Sequence, residues 1–228
     1  MFFPRTGRAQ TWLASPISGD WNTAANWTAG GPPNNGGTAF FDQSAQTSIS
    51  IPAGAAVFGT TFNADASAYT ISTGTSTLSF LGGVPGWGVV NNSAYTQNFV
   101  NSSVANGQTA ALINFILYAT AGSNVVYTNS AATTNDPISG EIIFSNNATA
   151  GSASFVSYGA VTTGLEGGSI IFKNNSSAGS GTFTNNGPTV NTGTLGIPIL
   201  GRVKVKQRVK DESDMDESSE HDIKFFKT

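Results

Sequence analysis

The feature that most constrains this chain is a sentence written twice. Residues 140–159 read GEIIFSNNATAGSASFVSYG, and residues 168–187 read GSIIFKNNSSAGSGTFTNNG. At an offset of 28, Gly140 meets Gly168, Ile142 and Ile143 meet Ile170 and Ile171, and Phe144 meets Phe172. Asn146 and Asn147 meet Asn174 and Asn175, and Phe155 meets Phe183. A third unit lies upstream in INFILYATAGSNVVYTN, where Ile113 and Phe115 precede Ile142 and Phe144 by 29 residues. Tandem units of such a period mean a solenoid, a propeller or an array.

The pattern inside the unit selects among these. Two short segments per unit, such as SIIFK and SGTFT, alternate large apolar with small or polar residues. Alternation of period two is the strand signal, and no 3.6-residue stripe accompanies it. The Asn-Asn, Ala-Gly-Ser and Gly-rich breaks suit turns. A propeller blade needs four strands in about 40–45 residues, more than this unit holds. The pattern therefore predicts an all-β chain, a right-handed parallel β-helix (a solenoid) of about seven or eight coils. Coils stack about 4.8 Å apart, so equivalent residues lie over one another. Phe144 is expected on Phe172 and Phe155 on Phe183, inside the coil. The Asn pairs are expected to form side-chain amide ladders at the corners.

Composition agrees with an extended β protein. Charged residues are 10% of the chain, against about a quarter in ordinary globular domains. Apolar residues reach 39% and aromatics 11%, so there is surface to bury and the body is not of disordered composition. With no cysteine, a disulfide framework and a Cys-based metal site are excluded. No apolar run approaches the roughly 18–20 residues of a membrane helix, so no membrane insertion by this segment is expected.

Four segments follow. Residues 1–10 read as a leader remnant, with Arg5 and Arg8 but no apolar stretch after them. Residues 11–37 carry Trp12, Trp21 and Trp27 and a Gly/Pro loop; they read as an irregular cap, which an array needs to cover its first open edge. Residues 38–201 read as the β-helix repeat domain. Its early strands are expected in TAFFDQ, TSISIP, FGTTFNA, AYTIS and STLSFLGG. From Arg202 to Thr228, 14 of 27 residues are Lys, Arg, Asp or Glu, against nine in the preceding 201. Such blocks are usually solvated, and 202–228 reads as a disordered charged C-terminal tail. Its acidic block opposes its basic one, so no nucleic-acid partner is expected.

The body is poor in catalytic groups. Before the tail the carboxylates are Asp20, Asp42, Asp65, Asp136, Glu141 and Glu166, and the basic residues are Arg5, Arg8 and Lys173. Glycoside hydrolysis needs two carboxyls held across one bond, and no sequence-adjacent pair suggests itself. The single histidine, His221, lies in the tail. Calcium repeats, His-Glu-x-x-His and phosphate loops do not occur. No catalytic residue, cofactor or metal is therefore expected. Trp87, in GVPGWGVV, is the first candidate for stacking on a sugar ring. Trp21 and Trp27 are the other two, with a capping role preferred for both.

SGDWNTAANW, TFNADASAYTIS, NNSAYTQNFVN and the F-x-N-x-A-x-AGS units occur in that order. Together they resemble the β-strand-repeat passenger regions of bacterial autotransporter-like surface proteins, over about residues 11–195. The resemblance implies a β-helix exported through the outer membrane, extracellular or on the bacterial cell surface, serving as a non-enzymatic stalk or adhesin. It implies host or surface glycans or proteins as partners, together with the rest of its own full-length chain, a barrel or further repeats. Such proteins run longer, and many end in a translocating barrel. Here a charged tail follows residue 201, and the chain reads as an N-terminal fragment. The alternative is a polysaccharide-active or carbohydrate-binding β-helix protein. The enzymatic form requires two of Asp42, Asp65, Asp136, Glu141 and Glu166 to share one groove.

Overall fold

The computed structural model describes residues 8–104 and 110–187, and beyond them the backbone of two short strands. The alternating runs are strands, here numbered β1 to β16 in chain order. Helix among the described residues is confined to two 3-10 turns, Ala24–Asn26 and Thr28–Gly30. The fold is all-β and its sheets are parallel.

The larger sheet runs β1 (Ala9–Thr11), β2 (Gly37–Phe41), β4 (Ala55–Phe62), β6 (Thr77–Phe80), β9 (Leu112–Phe115), β11 (Glu141–Phe144), β13 (Ser169–Phe172) and β15 (Val203–Val205). β7 (Val89–Asn91) also pairs with β4, and β16 (His221–Asp222) lies antiparallel to β15. The smaller sheet runs β3 (Ser48–Ser50), β5 (Thr70–Ser72), β8 (Gln97–Asn101), β10 (Val125–Asn129), β12 (Ser154–Tyr158) and β14 (Thr182–Asn186). From β8 to β15 successive strands alternate between the two sheets. Each unit of sequence thus gives one strand to each sheet. A third line of parallel bridges joins Gly88, Thr120, Thr149 and Ser177.

Spatial register reproduces the sequence period. Ile113, Ile142 and Ile170 are directly paired, as are Phe99, Tyr127, Phe155 and Phe183. A parallel ladder in register sets identical side chains one strand spacing apart, about 4.8 Å, which is also a ring-stacking distance. One column is Phe80, Phe115, Phe144 and Phe172, with centroids 4.9, 4.6 and 4.7 Å apart. The other is Phe99, Tyr127, Phe155 and Phe183, at 5.1, 5.0 and 5.0 Å. The columns meet edge to face, as Phe144 meets Phe155 at 5.7 Å and 76°. The two expected pairs, Phe144 on Phe172 and Phe155 on Phe183, are both present.

The Asn-Asn pairs behave differently from the expectation. Asn146 and Asn174 sit in the left-handed region at φ 60° and 59°. Their side-chain oxygens accept backbone N–H groups one unit earlier, from Leu117 at 3.5 Å and Asn146 at 3.3 Å. They do not ladder amide to amide, because the left-handed turn presents each side chain to the neighbouring main chain. The amide-to-amide bond lies in the interior instead. Asn101 Nδ2 donates to Asn129 Oδ1 at 3.0 Å, and Asn129 Nδ2 donates to Ser169 O at 2.7 Å.

The Trp-rich segment packs across one end of the core. Trp12, Trp21 and Trp27 are buried. Trp27 meets Trp12, Trp21 and Phe41 edge-on, with centroids 5.1, 4.7 and 5.7 Å away. Every indole N–H of the cluster is satisfied, by Gln46 O, Asn34 Oδ1 and Trp21 O respectively for Trp12, Trp21 and Trp27. Two boundaries are refined. Ala9 and Gln10, assigned by sequence to a leader remnant, pair with Thr38 and Ala39 in the larger sheet. Of the charged tail only Val203–Val205 and His221–Asp222 are described, as strands; the disorder expected of 202–228 otherwise lies outside the described residues.

Candidate functional site

Trp21 and Trp27 offer no face to a ligand. Both are buried against Phe41, at 0% and 2% exposure. This corrects their candidacy for sugar stacking. Trp87 is 43% exposed. It stands on the Gly-rich loop after β6, and its ring meets Phe58 edge-on at 5.5 Å and 75°. Among the described residues its Nε1 donates no hydrogen bond, unlike the three cap indoles.

The main chain fixes what stands beside Trp87. Trp87 N donates to Val84 O, and Trp87 O accepts from Thr120 N at 2.7 Å. Tyr118 N donates to Gly82 O at 3.1 Å. Trp87, Val84, Leu117 and Tyr118 are all exposed. They form an aromatic and aliphatic corner where the larger sheet passes to the third line of bridges. In the following units the corner turns polar. The place of Leu117 is taken by Asn146 and Asn174, and that of Tyr118 by Asn147 and Asn175. The first Asn of each pair is tied to the main chain, as above. Asn147 and Asn175 are exposed, and among the described residues their side chains take no partner.

On the other flank of the same bridges runs a groove of about 580 Å³. Val89, Val90, Asn91 and Asn92 wall it at one end, and Ser123, Ser152 and Ser180 recur along it. No charged side chain lines it.

Asp42 and Asp65 share the neighbourhood of Tyr69, and the other carboxylates stand on separate segments. Asp20 closes its own turn, accepting from Asn22 N at 2.8 Å and Thr23 Oγ1 at 2.9 Å. Asp42 accepts from Asn63 Nδ2 at 2.6 Å. Glu141 pairs across strands with Ser169, as the repeat alignment predicts, and is half-buried. Asp42 and Asp65 both approach Tyr69, whose hydroxyl donates to Asp42 O at 2.6 Å. Burial, partly offset by the Ser44 hydroxyl and reinforced by these two charges, pushes the Tyr69 phenol up to about 12. Burial alone pushes Tyr127 well above its ordinary range. None of the carboxylates lines the groove, and among the described residues no three His, Asp or Glu side chains could hold a metal ion together.

Sequence reasoning found Trp87 and missed its neighbours. Tyr118 aligns with Asn147 and Asn175, so an aromatic in an amide column was the available signal. Comparison with family models, curated proteins and solved structures gives no match.

Proposed function

We propose that the two sheets and the third line of bridges are three faces of one right-handed parallel β-helix. Its role would be structural or adhesive and non-enzymatic, in a secreted or cell-surface bacterial protein of the autotransporter-like kind. The observation that carries this reading is the strict alternation of β8 to β15 between the sheets, in register at the sequence period. A chain that adds one strand to each face per unit advances by one strand spacing and grows as a rod. Handedness follows from the strong preference of parallel crossovers for the right hand. The low charge suits a rod held by main-chain ladders rather than by ion pairs.

The reading predicts surface display. Antibodies against the chain should label intact cells of the source organism without permeabilisation. Labelling that appears only after permeabilisation overturns it. A second reading, carbohydrate binding, is favoured by one specific observation: Trp87 is 43% exposed and, among the described residues, its N–H takes no acceptor, while the other three Trp are buried.

A further inference from the structure

The corner that begins at Trp87 is more ordered than an exposed aromatic alone. The bridge between Gly88 and Thr120 sets Trp87 on the level before Tyr118, beside Ala119 and one residue along from the column of Tyr118, Asn147 and Asn175. The bridges from Thr120 to Thr149 and from Thr149 to Ser177 set Asn147 and Asn175 on the next two. Four consecutive levels thus present, within one residue of the same column, an indole, a phenol, an amide and an amide. Adjacent levels are about 4.8 Å apart, close to the length of one pyranose unit in an extended glycan. Trp87 is braced by Phe58, so its ring loses little freedom on meeting a ligand. Asn147 and Asn175 each bring a donor and an acceptor, free because Asn146 and Asn174 do the structural bonding. Lys173, at the far end, is the one charged side chain within two sequence positions of these four residues.

We propose that this corner binds an uncharged linear polysaccharide laid along the stacking direction. The first sugars would lie against Trp87 and Tyr118, and the later ones would be hydrogen-bonded by Asn147 and Asn175. Aromatic faces take the apolar face of a pyranose, and amides take its hydroxyls. Among the described residues an acidic glycan would find a single cation there, Lys173. The proposal rests on the carbohydrate-binding reading and names its ligand class and its residues.

The test is calorimetry on the full chain with neutral linear oligosaccharides of two to six sugars, beside acidic ones of equal length. Affinity should rise with length until about four sugars, one per level, and then level off. Trp87→Ala and Asn147→Ala should each weaken the longer ligands by roughly three- to tenfold. Asn147→Ala should leave the melting temperature unchanged, whereas Asn146→Ala should lower it. Binding that persists undiminished in the Trp87→Ala/Asn147→Ala double variant overturns this corner while leaving carbohydrate binding intact. Preference for the acidic series, lost in salt, overturns the ligand class. No binding to any of the sugars overturns the carbohydrate reading as well.

Discussion

At the scale of single residues, the repeat is a record of positions that admit few alternatives. Gly151 has φ 61°, and a Cβ there would lie 2.6 Å from Gly122 O in the preceding unit. Gly151→Ala should therefore lose about 2–4 kcal/mol in urea unfolding, strain and close approach together. Gly74, at φ 58° with nothing within 4 Å of that Cβ, should lose only about 1–2 kcal/mol as Gly74→Ala, from strain alone. The interior amide bond makes a similar demand. Asn129→Ala leaves Ser169 O without its donor and should cost about 1–3 kcal/mol. The two buried phenols set the alkaline limit. Unfolded tyrosine titrates near 10, and Tyr69 and Tyr127 titrate higher when folded. The unfolded chain therefore releases these protons first. Their contribution is full below about pH 10 and declines from there upward through 12. Tyr127→Phe, which keeps the ring in its column, should flatten that decline in a series of unfolding curves from pH 9 to 12.

At the scale of strands, stability comes from columns rather than from individual contacts. Phe144 stacks on Phe115 and Phe172 and meets Phe155 edge-on. Removing it breaks one column in the middle and takes a neighbour from the other. Phe144→Ala should cost about 3–5 kcal/mol in the same urea titration, and Phe144→Leu distinctly less. The strand segments were readable in sequence because alternation of period two survives even in the irregular early part. All five segments expected between 38 and 83 overlap observed strands, β2 to β6. β7 escaped because its run, Val89–Asn91, is too short to show a period. β1 escaped because its apolar signal is a single Ala beside Gln and Thr.

At the scale of the whole molecule, the apolar interior between the two sheets must be covered beside their first strands. The cluster of Trp12, Trp21 and Trp27 over Phe41 does this beside β1 and β2. Trp27 is its centre, touching both other indoles. Trp27→Ala should loosen the cap and expose strand edges, which template pairing between chains. Sedimentation velocity should then show concentration-dependent association that the parent protein lacks. A variant that stays monodisperse while losing stability would show that the cap contributes packing without guarding the edge.

The sequence alone determined the period, the strand character of each unit and the stacking partners of its Phe residues. Those follow from alternation and from the requirement that equivalent positions on successive parallel strands accept the same shape. It also singled out Trp87 by its glycine neighbours. Only the tertiary structure separated the four tryptophans, since a Trp in a Gly-rich segment reads alike whether it seals an end or stands in solvent. Only the structure divided each Asn-Asn pair into a left-handed, main-chain-bonded residue and a free one, because two identical letters differ solely in φ. And only the bridges at Thr120, Thr149 and Ser177 brought Trp87, Tyr118, Asn147 and Asn175 to one corner. Tyr118 lies 31 residues beyond Trp87 in the chain, and that join is made by long-range main-chain pairing, which no local pattern encodes.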